Sequence, residues 1–190
     1  MGKGNEKGFT LIDVVVVVSV IAILVAVLSP YITRYIDESK IAKARNETQG
    51  IGGALTNFHK DVGQWPKKNP ADGAGVINVH YTGILPPNHA AYPDLINGKT
   101  GWGGPYAAID NSILSNGTSG PLYPVPPADL AWKGPYASSS LPMDPWGRPY
   151  LINVPATGPI WVMSAGPNRR LDTNATDNVV AADDIGFRVR

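Results

Sequence analysis

Hydrophobic and polar positions divide this 190-residue chain into two unlike stretches. After a short polar start at 1–8 (MGKGNEKG), positions 9–28 hold 17 apolar residues out of 20, interrupted only by Thr10, Asp13 and Ser19. At about 1.5 Å per residue this run covers ~30 Å, the thickness of a bilayer core. A backbone in lipid must satisfy its own hydrogen bonds, so the run is expected to be helical despite its β-branched stretch at 14–18. From residue 31 to 62 the pattern turns amphipathic. Arg34/Glu38 and Lys43/Glu47 are spaced i,i+4, and Ile51, Ala54, Leu55, Phe58 and Val62 form one apolar stripe. That stripe is expected to dock on the rest of the chain. Pro30 removes a backbone donor and is expected to kink the helix or melt a turn. Gly50, Gly52 and Gly53 predict local bending. Gly63 followed by Trp65-Pro66 marks the helix end.

Beyond residue 63 the periodicity breaks up. Of 18 prolines, only Pro30 precedes this point, and all five tryptophans (Trp65, Trp102, Trp132, Trp146, Trp161) follow it. Three runs read as strands: 76–81 (VINVHY), 150–154 (YLINV) and 160–164 (IWVMS). The last two, joined by PATGP, predict an antiparallel hairpin packed against the Ile51–Val62 stripe. A weak echo relates Trp102-Gly-Gly-Pro-Tyr106 to Trp132-Lys-Gly-Pro-Tyr136. Its aromatics are either exposed platforms for a partner or glycan, or turn residues packed into a small core. The packed reading is preferred. In Asp144-Pro-Trp-Gly-Arg-Pro-Tyr150, Asp-Pro and Gly set a turn, and Trp146 is expected to cap the core.

Composition narrows the function classes. With 16 basic and 15 acidic residues the net charge is +1, which offers nothing to bind nucleic acid by bulk charge. The absence of cysteine excludes disulfides, thiol nucleophiles and thiolate metal sites. Three histidines (His59, His80, His89) do not suggest a multi-histidine metal centre. No nucleophile elbow, phosphate-binding loop or zinc motif is present, so an enzymatic role is not expected. The charge that demands explanation is Asp13. A carboxylate within an apolar span costs about 2.5–3.5 kcal/mol at mid-helix, less near an end. No lysine or arginine lies between residues 8 and 33, so no cationic side chain is local. A new α-amino group, made by cutting after Gly8, would be a partner. Two unit charges ~4 Å apart gain about 4 kcal/mol at an effective dielectric near 20.

Lys7-Gly8-Phe9-Thr10-Leu11-Ile12-Asp13, followed by the apolar run, resembles the processing site of type IV pilins and type II secretion pseudopilins. The resemblance implies cleavage between Gly8 and Phe9 by a prepilin peptidase and methylation of the new terminal Phe9. It implies that Asp13 stands where the family carries the glutamate that pairs with a neighbour's N-terminal amine during assembly. Pro30 falls where the family commonly interrupts its helix. The heptapeptide 144–150 is similar to the DPWG-x-PY motif of the major, G-type pseudopilin. The implied fold is α+β and pilin-like: a long N-terminal helix with a transmembrane first half, packed on a small antiparallel sheet with a loop-rich C-terminal head. The implied domains are a leader at 1–8, a transmembrane and assembly helix at 9–30, an amphipathic extension at 31–63 and a periplasmic head at 64–190.

The expected role is a structural subunit of a pseudopilus, a helical homopolymer that drives protein export. It would be anchored by a single pass in the bacterial inner membrane with its head in the periplasm. The expected partners are further copies of itself, prepilin peptidase, minor pseudopilins, the inner-membrane assembly platform and the membrane. A type IV pilin of a surface pilus and a membrane-anchored periplasmic binding module are the alternatives.

The last candidate site is acidic. Asp172, Asp177, Asp183 and Asp184 crowd into 13 residues with no basic residue among them. Such carboxylates repel unless solvated or paired with a cation, and calcium takes carboxylate, carbonyl and amide oxygens in flexible loops. Asn168, Asn174 and Asn178 add amide oxygens. The spacing is not an EF-hand. Residues alone leave two readings open: a calcium loop, or a solvated turn neutralised by Arg169, Arg170 and Arg188. Ser164-Ala-Gly-Pro167 with Ala182-Asp183-Asp184-Ile185 looks like the calcium loop of the G-type pseudopilin, within a loop at 165–185. Asn168-Arg169 departs from the Asp-Gly usual there, and Asp172 or Asp177 would substitute.

Overall fold

The computed structural model describes residues 9–190. They form one long helix, α1 (Leu11–Val62), followed by short elements in the order β1 (Val79–Tyr81), β2 (Tyr106–Ala108), α2 (Asp110–Ile113), β3 (Leu151–Asn153), β4 (Trp161–Ser164) and β5 (Ile185–Arg188). Two compact units divide the chain between Ser39 and Lys40.

The first unit contains the start of α1. Thr10 and Asp13 close its first turn reciprocally: the Thr10 N–H and hydroxyl donate to Asp13 Oδ2 at 3.0 and 2.7 Å, and the Asp13 N–H reaches back to Thr10 Oγ1 at 3.4 Å. This is a capping box with Asp in the place of the usual Glu or Gln. Helix then continues through Pro30, so the proline melts no turn. The missing donor is confined to one position, and the Thr33 hydroxyl donates to the Ser29 carbonyl at 3.2 Å. Arg34 and Glu38 form the expected pair at 3.1 Å, on the exposed surface. The span's apolar side chains, from Phe9 to Ile36, are about half exposed or more. It is long and apolar enough to cross a membrane.

The second unit begins at Lys40 and holds the rest of α1 with the sheet. All five predicted stripe residues are buried, joined by Ala44, Thr48 and Gly52. The helix stays regular through Gly50, Gly52 and Gly53. Gly52 serves packing: a Cβ there would lie 2.3 Å from the Phe187 ring of β5. Helix α1 ends at Val62, where the Gly63 N–H closes on the His59 carbonyl at 2.8 Å.

The five-stranded sheet has the order β2-β1-β3-β4-β5. It is antiparallel except at its edge, where β1 and β2 run parallel. The predicted hairpin is β3–β4, with Ile152 opposite Val162, and the third predicted strand shortens to β1. Alternate residues of the hairpin face opposite sides. Tyr150, Ile152, Val154, Ile160 and Val162 join the helix stripe in one core, which α2 and the 122–137 segment close through Ile109, Ile113 and Tyr123. Leu151, Trp161 and Met163 face a second core with Val79, Tyr92, Leu95, Trp102 and Leu171. Both faces are covered, which is why these strands read as unbroken apolar runs.

The tryptophan echo resolves to packing. The Trp102 indole N–H donates to the Thr173 carbonyl and that of Trp132 to the Ser112 carbonyl, each at 2.8 Å. Trp146, expected to cap the core, is half-buried and belongs to neither cluster. Its own N–H donates to Asp144 Oδ1 at 3.0 Å within the turn.

Candidate functional site

Two regions hold the residues singled out from the sequence. The first is the start of α1. Gly8, with the rest of the expected leader at 1–8, lies outside the described residues. Phe9 is exposed and Asp13 lies one turn into the span. Asp13 therefore has neutral local donors in Thr10, which the sequence reading overlooked because it searched for cations. The Thr-x-x-Asp spacing was the available signal. Two hydrogen bonds lower the cost of an acid in an apolar segment, and among the described residues no cation pairs with its charge.

The second region is built around the turn at 144–150 and the loop at 165–185. Asp144, nearly fully buried, accepts from the N–H groups of Trp146 and Arg148 at 3.0 and 2.8 Å. Its Oδ2 accepts from the Ser164 hydroxyl at 2.6 Å, and Ser164 Oγ accepts the Gly166 N–H at 3.1 Å. Burial pushes the Asp144 carboxyl above its ordinary range, against the pull of these donors. At Gly166 the backbone is left-handed (φ 64°), and a Cβ there would collide with the Asp183 carbonyl. This close approach requires glycine. The turn thereby fixes where the acidic loop leaves the sheet.

Within the loop, the four aspartates part company. Asp183 Oδ2 accepts the Asn168 N–H at 2.7 Å, and Asp172 Oδ2 accepts the Asn168 side-chain amide at 2.8 Å. Asp184 Oδ2 accepts the N–H groups of Asp172 and Thr173 at 2.8 and 2.7 Å. Asp172, Asp183 and Asp184 thus form one network with Asn168. Asp177 stands apart, accepting from both the N–H and the amide of Asn174 at 2.9 and 3.0 Å. Asn178 is turned to Arg188, whose guanidinium is 3.4 Å from its Oδ1. Among the described residues, no ion pair joins Arg169, Arg170 or Arg188 to these aspartates. Backbone N–H groups take the place that the solvated-turn reading gave to arginines.

Among the described residues no three carboxylate or imidazole side chains gather closely enough to hold a metal by themselves. Calcium also takes carbonyl and amide oxygens, and one oxygen here calls for a partner. Asp184 is buried, with 7% of its surface exposed, and its Oδ1 has no hydrogen-bond partner. Burial raises its carboxyl to about 6, with a smaller push from the Asp172 charge, against the Thr173 hydroxyl and the N–H groups of Asp172 and Thr173. Asp184 also lines a cavity of about 270 Å³ with Arg45, Thr48, Gln49 and Gly186. That cavity sets this one carboxylate beside the Arg45 side chain, and neither Asp172 nor Asp183 lines it.

Comparison with known proteins gives matches that overlap both regions. Residues 3–29 match the family described as the prokaryotic N-terminal methylation motif, and residues 120–183 match that of type II secretion system (T2SS) protein G. The chain is 25% identical to the type II secretion system core protein G of Pseudomonas aeruginosa over 87% of each chain. It is 38% identical to the fimbrial protein EcpC of Eikenella corrodens over 43% of this chain and 54% of that one. It is 35% identical to a type IV major pilin protein PilE1 of Neisseria gonorrhoeae over 35% of this chain and 31% of that one. This chain is a relative of the type IV pilins and the type II secretion pseudopilins. It spans about half or less of the length of those two fimbrial relatives. No solved structure matches it significantly. The pseudopilin-like heptapeptide and acidic loop both overlap the protein G match, whereas residues 30–119 lie in neither family match.

Proposed function

We propose that this chain is the structural subunit of a type II secretion-like pseudopilus. One observation carries the reading: a single chain joins an N-terminal methylation motif at 3–29 to a protein G match at 120–183. Prepilin peptidase cuts between Gly8 and Phe9, and the released amine of Phe9 is methylated. In the membrane, Asp13 rests on the Thr10 donors. In the filament, it pairs with the Phe9 amine of an adjacent copy, a contact worth about 4 kcal/mol at ~4 Å and an effective dielectric near 20. Such a head-to-tail contact does not close on itself and so propagates as a helix. The apolar side chains of α1, exposed in the lone chain, find their partners in lipid before assembly and in neighbouring helices after it. The inner membrane holds the subunit by this one span with the head in the periplasm, and minor pseudopilins and the assembly platform start and drive polymerisation.

Calcium belongs to the same reading. The residues that would hold it are Asp172, Asp183 and Asp184, with amide and carbonyl oxygens around Asn168; Asp177 is committed to its own turn. Bound calcium supplies positive charge to a buried carboxylate oxygen that otherwise has none. Support comes from the unpartnered Oδ1 of Asp184.

Electron microscopy of filaments sheared from cells overproducing the chain tests the assembly reading. Wild type should give filaments and Asp13→Ala should give none, while the variant still sediments with membranes. Normal filaments from Asp13→Ala would refute the role given to that acid. The resemblance to EcpC favours a second reading, a surface pilus; filaments made at native expression levels and found outside the cell would favour it.

A further inference from the structure

Two exposed aromatics follow the apolar run of α1. Phe9 stands at the head of the run, residues 10–30 hold no aromatic side chain, and Tyr31 and Tyr35 come directly after Pro30. The tyrosines are 60% and 69% exposed, and neither joins either core of the head. Arg34 lies between them with its side chain 81% exposed. Its Nε donates to Glu38 Oε1 at 3.1 Å, and its other guanidinium nitrogens have no hydrogen-bond partner among the described residues.

Tyr31, Arg34, Tyr35 and Glu38 are spaced i, i+3, i+4 and i+7 and so share one face of the helix. The helix continues through Pro30, and the same face runs back to Asp13. Asp13 lies about five whole turns, or ~27 Å, from Tyr31, and Phe9 lies ~33 Å from it. The hydrocarbon layer of a bilayer is ~30 Å thick. The polar groups at the two ends of this face are therefore spaced like the two edges of that layer. A tyrosine suits such an edge, with its ring against acyl chains and its hydroxyl among water and headgroups. A guanidinium with spare N–H donors suits the phosphate oxygens there.

We propose that Tyr31, Arg34 and Tyr35 anchor the subunit in the phosphate-bearing headgroup layer on the C-terminal side of the span, and thereby seat Asp13 at the opposite edge of the bilayer. The proposal rests on the reading of this span as membrane-crossing. It places the Thr10–Asp13 turn away from the bilayer centre, where a carboxylate costs most. The waiting subunit then keeps Asp13 within reach of water and of an adjacent copy's amine. Entry into a filament withdraws two tyrosines and an arginine from the headgroups, so the anchor also opposes premature release.

Cysteine scanning tests this, because the chain has no cysteine of its own. A thiol reacts with N-ethylmaleimide as the thiolate, which apolar surroundings suppress. The full chain is reconstituted, at high lipid excess, into vesicles of phosphatidylethanolamine and phosphatidylglycerol. Val16→Cys, Ala22→Cys and Leu28→Cys should react slowly, and Leu11→Cys, Ile32→Cys and Ile36→Cys fast. Replacing Tyr31, Arg34 and Tyr35 together by leucine should lengthen the protected stretch by about one turn, so that Ile32→Cys slows to the rate of Leu28→Cys. Tyr31→Trp/Tyr35→Trp, which keeps interfacial rings, should leave Ile32→Cys at its wild-type rate. A protected stretch that ends at the same residue after the leucine substitutions would overturn the anchor. Leu11→Cys as slow as Ala22→Cys would overturn the placement of Asp13. Protection of Ile32→Cys and Ile36→Cys that fades as more lipid is added would give this face to a second copy and overturn the headgroup assignment. A wild type that does not float with the vesicles, or Ala22→Cys as fast as Ile36→Cys, would overturn the membrane reading itself.

Discussion

The Tyr150 hydroxyl donates to Glu47 Oε2 at 2.5 Å. The last residue of the heptapeptide 144–150 is thereby tied to the second half of α1, while its first residue, Asp144, is tied to Ser164 at the mouth of the acidic loop. One short turn holds both the helix and the loop. Burial and the neighbouring Glu47 carboxylate push the Tyr150 hydroxyl well above its ordinary value, so it remains a donor at any working pH.

Tyr150→Phe removes this donor from a charged acceptor. Hydrogen bonds to charged groups contribute about 1.5–3 kcal/mol, and urea denaturation should register a loss of that size. A midpoint within error of wild type would mean that the contact adds nothing.

Gly52→Ala should destabilise through overpacking, because the added methyl would meet the Phe187 ring 2.3 Å away. Overpacked cores lose about 1–3 kcal/mol. Trimming the ring in Gly52→Ala/Phe187→Ala should recover part of the loss. A double variant weaker than the sum of the singles would argue against a steric cause.

Most of the helical core could be read from the chain because it depends on spacing within one element. Ile51, Ala54, Leu55, Phe58 and Val62 repeat with the helical period, and the hairpin shows itself by β-branched and aromatic runs around PATGP. Elements built by distant pairing left weaker traces. β5 reads IGFR, too short and too mixed for a strand signal, and β2 is three residues that begin at Tyr106, the last residue of the first tryptophan echo. In the acidic loop the residue types announced the chemistry, but their grouping did not. Asp177 turned inward to Asn174, and Arg169 and Arg170 formed no pair with the aspartates, because backbone donors got there first. The hydrogen bonds that tie 100–102 to the acidic loop join residues more than 70 apart in sequence, such as Thr100 with Asn174, and no local pattern encodes them.

Acid should destabilise the head through His80. This histidine in β1 is wholly buried, and burial lowers it from 6.5 to about 4 against the pull of the backbone at Pro66, Ala107 and Ile77. The unfolded chain binds a proton near 6.5 and the native one only near 4, so stability falls as pH drops through that window. At 1.36 kcal/mol per unit the loss totals about 3 kcal/mol. Chemical denaturation of wild type and His80→Gln at pH 7 and pH 4.5 should show a smaller pH dependence in the variant. Equal dependence would move the acid sensitivity elsewhere.

Asp184 works in the opposite sense. Its carboxyl is raised from 3.8 to about 6, so its contribution is greatest below 3.8 and is lost as pH rises to 6. At pH 8 in EGTA, Asp184→Asn should therefore melt higher than wild type, since it replaces a buried charge. In calcium the order should reverse, because only wild type gains from a ligand that binds the native state. A variant melting lower in both conditions would contradict the unpartnered-charge reading.

The intact mass and N-terminal sequence of the chain purified from membranes of a host with its prepilin peptidase bear most directly on assembly through Asp13. The proposed assembly predicts a chain that has lost residues 1–8 and begins at an N-methylated Phe9. Material that retains Met1–Gly8 and yet forms normal filaments would contradict it.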